Sequence, residues 1–464
     1  MAGSSAAAGS WTRLKQGDLN EIIASHRRFL RGEPGGRRAS MGFCDASGLD
    51  LSDADLTSAD LSGAKLQHAR MDRVRLRDAI LFAADLRMAL IREAVLDRAD
   101  LRGACLRGAD LRDSSFIDAD IREGTLAKAN RQRELEQVTF EEMNSQLVCV
   151  LASRANLTGA KLSNAFVIQS DFTDAILSHC KFRQADLRNT IFTGAVMTGV
   201  DLTDANLEGA CMHGAILTDA VLANARLSNA DLRGTIVDQR TEAAPELAGS
   251  NLPRSNPELI ASLPAILERH RAWIDTYGKE GKRAELSGAH LPGTDLRSAK
   301  LSGAMLDYAV LSAANLAGSE LAMADLSFAD MRRGNLRDAD LRGAKLHRAN
   351  LSDANLSGAR FSPLNKAGDE GPAWVTNMEH VRLRRARLEH AKLDGARLAG
   401  ADFEGADLYC ADLSNADLRG ANFAEANLQG ANLTGADLRG ARAVNMPVAG
   451  DPPKPAAAGG RARA

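Results

Sequence analysis

Large apolar residues recur at every fifth position through most of this chain, and nearly all have a small residue two places before them, as in Ala54-Asp55-Leu56-Thr57-Ser58-Ala59-Asp60-Leu61. The register holds from Leu51 to Leu126, Leu157 to Val237, Leu286 to Phe361 and Leu383 to Leu438. Of its 61 positions all are apolar and 46 are Leu, while 48 of the positions two places upstream are Ala. Most exceptions upstream are also small, such as Ser114, Gly124, Ser170, Cys180 and Thr235. A helix needs apolar spacings of three and four, and a half-buried strand needs alternation, so a period of five suits neither as a long element. Each unit therefore reads as a short extended piece followed by a corner. The Leu and the Ala, two apart, both face inward. The polar triplet forms the outer wall and the turn, where Gly, Asp and Asn accept the backbone angles of a corner.

Units such as Ala406-Asp407-Leu408 and Ala431-Asn432-Leu433 resemble those of pentapeptide repeat proteins. The resemblance implies an all-β-dominated solenoid, a right-handed quadrilateral β-helix in which four units make one coil. Here it is expected in four repeat blocks with amphipathic α-helical caps or insertions, its stability being close to a sum of coil and neighbour contributions.

Departures from the period mark the rest of the organisation. Residues 18–31 place Leu19, Ile22, Ile23, His26, Phe29 and Leu30 on one helical face, with Asp18 as the expected N-cap. Residues 257–277 do the same with Leu259, Leu263, Ile266, Leu267, His270, Trp273, Ile274 and Tyr277, after Asn256 as cap and Pro257 in the first turn. The two helices match: His26-Arg27-Arg28-Phe29-Leu30 against His270-Arg271-Ala272-Trp273-Ile274, and Gly36-Arg37-Arg38-Ala39 against Gly281-Lys282-Arg283-Ala284. The chain reads as a tandem duplication of a helix-plus-repeats module, with halves near 1–240 and 241–464. In detail we expect a tail and cap helix (1–40), repeats (41–126), a linker (127–154), repeats (155–237), an insertion with the second helix (238–283), repeats (284–361), a linker (362–380), repeats (381–440) and a disordered tail (441–464). Whether the blocks on either side of each linker join into one β-helix is not readable from sequence. An open β-helix end exposes core and unpaired backbone, so both helices are expected to be caps or side braces, with Phe29 and Trp273 as apolar anchors. His26 and His270 are expected to be hydrogen-bonded at the junction of helix and repeat, a functional role being the less favoured alternative.

With four units per coil, residues 20 apart stack on one face. The position before the large residue is then an apolar ladder at Ile176, Val196, Ile216 and Ile236, where most units carry Asp, Asn, Lys or Arg. Such a ladder costs solubility if bare. It is covered either within the chain, by the 257–277 helix or a neighbouring block, or by a partner, including a second copy in a homodimer. Charges stack too: Arg382, Arg387, Lys392 and Arg397 precede Asp402, Asp407, Asp412 and Asp417 by 20 residues, which predicts base over acid on each face. Arg87 and Arg107, Arg92 and Arg112, and Arg102 and Arg122 stack as like charges on a wall of mixed sign.

Composition narrows function. With 58 basic and 60 acidic residues and a net charge of −2, nothing draws the chain as a whole to nucleic acid, which is an unexpected partner. The six cysteines show no paired spacing, so a cytoplasmic, reducing location is expected. No signal peptide or membrane span is recognised. Phosphate-loop, nucleophile-elbow, zinc-protease and paired-cysteine motifs are missing, so no catalytic residue, cofactor or metal is expected. The histidines His68, His179, His213, His290, His347 and His390 are scattered around the walls. The favoured reading is a non-catalytic protein-interaction scaffold whose flat walls face a macromolecular partner of unknown identity. The resemblance supplies an alternative, since some pentapeptide repeat proteins mimic duplex DNA and bind type II topoisomerases, but this chain's balanced charge departs from that pattern.

Overall fold

The computed structural model describes residues 11–124, 127–129, 135–137, 147–253, 256–364 and 373–443. The chain divides into two units, Met1–Leu252 and Pro253–Ala464, each with its own apolar core. The tails 1–10 and 444–464, and Glu134, Glu141, Glu142, Gly368, Gly371 and Pro372 of the expected linkers, lie outside the described residues.

Both units are parallel β-solenoids with a 20-residue repeat. The residue before each large apolar one pairs with the residue 20 positions on, as in Asp60↔Ile80, Lys65↔Asp85, Arg70↔Leu90 and Arg75↔Val95. Each bridge is two backbone hydrogen bonds: Leu61 N donates to Ile80 O at 2.7 Å, and Ile80 N to Ala59 O at 2.9 Å. Between bridges the chain turns. Ala59 N donates to Leu56 O at 3.0 Å, and Ser58 between them has φ of 60°, the left-handed third position of a type II turn. That geometry explains why Gly, Asp and Asn crowd the second place after each Leu.

The Asp or Asn before each Leu has a separate cause. Its carboxylate or amide oxygen accepts the N–H two residues on, as Asp60 Oδ1 does from Ser62 N at 3.0 Å and Asn432 Oδ1 from Thr434 N at 3.1 Å. This Asx turn satisfies a corner donor from within the unit. Inside, Leu56, Ala59 and Leu61 are wholly buried, at roughly 1.5 to 3 kcal/mol for each fully buried Leu. Where Phe replaces Leu in successive coils the rings stack, Phe172 on Phe192 at 5.7 Å and Phe403 on Phe423 at 5.0 Å.

The open question of the linkers is answered by the bridges. Asp110↔Leu151, Ser115↔Asn156 and Asp120↔Lys161 carry the first stack across the 127–146 segment, which contains a two-stranded antiparallel hairpin, Ala127–Ala129 with Leu135–Gln137. Coil backbone resumes at Leu147, inside the segment read as linker, because Leu147 N donates to Phe166 O at 2.7 Å. Lys345↔Asn377 and Arg360↔Lys392 likewise join the third and fourth blocks, and the excursion between them closes on an antiparallel Leu364↔Trp374 bridge. An insertion at a corner is tolerated since the coils above and below still meet in register. The four sequence blocks are thus joined in pairs.

Unit one begins with β1 (Thr12–Arg13), which pairs in parallel with β2 (Cys44–Asp45), and α1 (Gln16–Leu30). Its last coil is followed by a short helix, α2 (Gln239–Glu242), and a 3-10 turn, Pro245–Leu247. Unit two begins with α3 (Pro257–Asp275). Helix α1 starts earlier than its composition suggested, so Asp18 is not the N-cap. It sits in the first turn and accepts the Lys15 N–H at 2.9 Å. Asn256 does cap α3, accepting from Glu258 N and Leu259 N at 3.0 and 3.2 Å. Tyr277 falls beyond the end of α3 and is 95% exposed. Among the described residues no helix is long and apolar enough to cross a membrane.

Candidate functional site

Three places depart from the repeat. The first is the duplicated cap. Leu19 is wholly buried in the first core with Ile22 and Ile23 against it, and Leu263 enters the second core with Leu259, Ile266 and Leu267. In each copy the histidine is the buried ring: His26 and His270 are both 0% exposed, whereas Phe29, expected as the apolar anchor, is 43% exposed. Phe29 stacks on His26 at 5.7 Å and the half-buried Trp273 on His270 at 5.5 Å. The aromatic residues shield the histidines.

The reason lies in the missing preceding unit. Within the stack an Ala N–H donates to the Leu carbonyl three residues back, but Ala39 and Ala284 open their stacks and have no such Leu. Their N–H groups donate instead to Nδ1 of His26 and of His270, both at 3.0 Å. His26 Nε2 then donates to Thr57 O at 3.1 Å. For His270 the carbonyls of Ser302, the residue matching Thr57, and of Leu301 act on the ring, while Nε2 has no well-formed hydrogen bond. Burial pushes both imidazoles below their usual pKa, which keeps Nδ1 an acceptor. Arg38 Nε donates to Ser58 O, and Arg283 Nε to Gly303 O, at matching positions. At the other end of unit one, side chains imitate a further coil: Asp238 accepts the Asp219 N–H, Glu246 accepts Asn224 N–H at 2.8 Å, and Asn251 accepts Leu232 N–H at 2.7 Å. A groove of about 650 Å³ opens there, bordered by Arg226, Asp231, Glu246 and Asn251.

The second is the apolar ladder. Ile176↔Val196, Val196↔Ile216 and Ile216↔Ile236 are consecutive bridges, so the four residues do stack. Their exposure falls along the stack: Ile176 is 38% exposed, Val196 and Ile216 are half-buried, and Ile236 is 4% exposed. The 257–277 helix, expected as a possible cover, places its apolar residues in the core of unit two. Sequence reading missed that the neighbouring ladder, Leu151↔Asp171↔Ile191↔Cys211↔Asp231, also carries exposed apolar residues, Leu151 at 44% and Ile191 at 41%.

The third was also missed. Cys211, His213 and Asp231 converge on that neighbouring ladder: the thiol and imidazole are in hydrogen-bond contact, and His213 Nε2 lies 2.7 Å from Asp231 Oδ2. At that distance the two form an ion pair whenever the imidazole is protonated. Asp231 is further held by Arg233 Nη2 at 2.6 Å and Asn251 Nδ2 at 2.8 Å. The imidazole beside it brings the Cys211 thiol down to about 7, and the thiol in turn raises His213. The 20-residue stacking rule contains the signal: 211 and 213 flank one corner and 231 is one coil on. No group of three His, Cys, Asp or Glu among the described residues is arranged to hold a metal ion.

The family model for pentapeptide repeats matches in overlapping stretches covering residues 37–130, 153–238, 282–362 and 382–442, more than half of the chain. The chain belongs to the pentapeptide repeat family. Its solenoids are accordingly right-handed β-helices. Solved structures similar to it include HetL, a pentapeptide repeat protein involved in heterocyst differentiation regulation from the cyanobacterium Nostoc, at 22% identity over 77% of this chain and 88% of that one, with a TM-score of 0.16. Rfr23 from the cyanobacterium Cyanothece is 21% identical over 30% of this chain and 88% of that one, with a TM-score of 0.22. QnrB1, a plasmid-mediated fluoroquinolone resistance protein, is 16% identical over 44% of this chain and 94% of that one, with a TM-score of 0.25. Superpositions this poor carry no functional argument. No curated protein matches the chain.

In this pentapeptide repeat protein the wall charges are largely satisfied inside each unit. Wherever Asp-Leu-Arg occurs the guanidinium folds back onto its own Asp, as Arg102 does on Asp100 at 2.8 and 2.7 Å and Arg112 on Asp110 at 2.8 and 2.6 Å. Such bidentate pairing means that the stacked arginines Arg102, Arg112 and Arg122 do not form a free basic strip. The base-over-acid expectation for the last block is also modified. Arg387 turns to Glu389 at 3.1 Å and Arg397 to Glu379 at 2.5 Å, while Lys392 stays 3.9 Å from its partner Asp412. The aspartates are met from above, by Asn422, Asn427 and Asn432 Nδ2 donating to Asp402, Asp407 and Asp412 at 2.9, 2.8 and 3.0 Å.

Proposed function

We propose that this chain is a non-catalytic, cytoplasmic interaction scaffold in which four-sided coils offer flat walls to a protein partner, a second copy of the chain included. The observation that carries the reading is the apolar platform of unit one, where Leu151, Ile176 and Ile191 are 44%, 38% and 41% exposed on ladders one unit apart. Exposed side chains of this size at adjoining positions on a rigid wall suit protein contact. Four bridges with four turns in every 20 residues support the four-sided coil. The cytoplasmic assignment rests on cysteines without paired spacing. DNA mimicry would require an unbroken acidic face, and the internal Asp–Arg pairing argues against one. The test is Ile176→Asp, a charge placed where the fold leaves the side chain exposed. Sedimentation of wild type and variant, with affinity capture from native cells, should show loss of self-association or of a captured partner at unchanged melting temperature. Identical sedimentation and identical capture would refute the proposal.

A further inference from the structure

We propose that Cys211, His213 and Asp231 form a reactive-thiol site that undergoes thiol–disulfide exchange with low-molecular-weight disulfides. Geometry singles out this corner. Most wall positions before a Leu carry a residue that closes an Asx turn or an ion pair, but here a thiol stands in that place with an imidazole two residues on. Cys105 occupies the same place in its own unit with Arg107 following, and there burial raises the thiol. Cys180 points into the core and is wholly buried. Cys211 is half-buried on the wall, Thr193 Oγ1 lies 3.5 Å from its sulfur, and Ile191 and Asp231 are its stacked neighbours.

The carboxylate supplies the orientation. Asp231, fixed by Arg233 and Asn251, holds the His213 ring beside the thiol and favours the imidazolium. The thiol proton passes to His213, and the Cys211 thiolate attacks one sulfur of the disulfide. A new Cys211–sulfur bond forms as the reagent's S–S bond breaks, and the departing thiolate takes the proton from His213. The disulfide is itself the oxidant, so the step balances without a further reagent. A flat wall lets the mixed disulfide project outward, which would place a bulky, removable group beside the exposed Ile191.

The experiment uses the full chain with oxidised glutathione as probe, at pH 6 and 7, followed by peptide mapping of the modified cysteines. At pH 7 the greater thiolate fraction outweighs the lower nucleophilicity, so Cys211 should react about three- to five-fold faster than a small model thiol of ordinary pKa, the advantage growing toward pH 6, and faster than the exposed Cys149. His213→Gln should remove the advantage and Asp231→Asn should reduce it. As a check independent of any variant's folding, the rate of iodoacetamide alkylation at Cys211 in the wild-type chain should rise with a midpoint near pH 7. A midpoint above about 8.5, the ordinary thiol range, or modification of Cys211 no faster than of Cys149, would overturn the proposal. Neither measurement depends on the apolar platform having a partner.

Discussion

Replacing His26 with Phe isolates what the cap histidine does. The ring is 0% exposed and bridges Ala39 N–H, at 3.0 Å from Nδ1, to Thr57 O, at 3.1 Å from Nε2. Phenylalanine keeps the ring and removes both bonds. An unsatisfied buried polar group costs about 1 to 3 kcal/mol, so the two left by His26→Phe should destabilise the first coil by about 2 to 6 kcal/mol. Phe29→Ala removes a side chain that is 43% exposed and stacks on His26, and should cost about 1 kcal/mol. A solenoid opens locally, so the suitable assay is native-state amide exchange over residues 39–58 rather than a global melting curve. A loss of 2 kcal/mol there reads as about 30-fold faster exchange. The same histidine predicts a pH response. Burial holds its folded pKa below the ordinary imidazole value of 6.5, so the unfolded form binds the extra proton. The stabilisation is complete above about pH 6.5 and is lost as the pH falls from there toward the folded pKa. Faster exchange in His26→Phe, with this segment's pH dependence below 6.5 abolished, is the expected pair of results. If Phe29→Ala loosens the coil more than His26→Phe does, the histidine is packing and not a backbone surrogate, and the argument fails.

Gly281→Ala should detach α3 from the second stack, because its Cβ would lie 2.1 Å from Arg269 O and 2.7 Å from Trp273 N at a φ of +75°. Gly288→Ala, with φ of +65° and open space around it, should cost only the left-handed strain of about 1 to 2 kcal/mol, and circular dichroism melts of the two variants compare them. Asn427→Leu should cost about 0.5 to 1.5 kcal/mol by removing the 2.8 Å bond to Asp407. By contrast, Arg387→Gln should change urea stability by under about 0.5 kcal/mol, since that exposed arginine pairs with Glu389 and not with Asp407. Acid should weaken both units together: Asp72, held down chiefly by its hydrogen bond to Arg92, and Asp353, held down chiefly by Arg385, have folded pKa values below 3.8. Their contribution is present above about pH 4 and lost as pH falls below it, so melting temperature should decline from pH 4 toward 2.

How much of this is legible in the sequence depends on range. A period of five with Ala and Leu two apart dictates an extended piece, a corner and a narrow core, because only one backbone geometry places both residues inside. Ser58 at positive φ is a local fact, decided within four residues, and the pattern carried that corner, whereas the bond from Ser62 N–H to Asp60, equally local, was not read from it. Stacking at 20 residues then gave the Ile176, Val196, Ile216 and Ile236 ladder, and the duplicated His-x-x-aromatic motif gave both caps. What failed were choices among neighbours at similar distance. The sequence offered Asp407 a base one coil below, but Arg387 turns to Glu389 and the Asn427 amide one coil above donates to the aspartate instead. Phe29 and His26 lie on one helical face, and hydrophobicity favours the phenylalanine as anchor. Only the placement of the opening Ala39 N–H, which has no Leu carbonyl to meet, makes burial of the histidine the better solution. Cys211, His213 and Asp231 lie in register, yet their meeting depends on rotamers that Arg233 and Asn251 fix. Sequence determined the coil because its forces repeat in every unit. Tertiary structure decided the ends, the joins across the inserted segments and the thiol corner, where the repeat stops and a single side chain must replace a missing strand or turn.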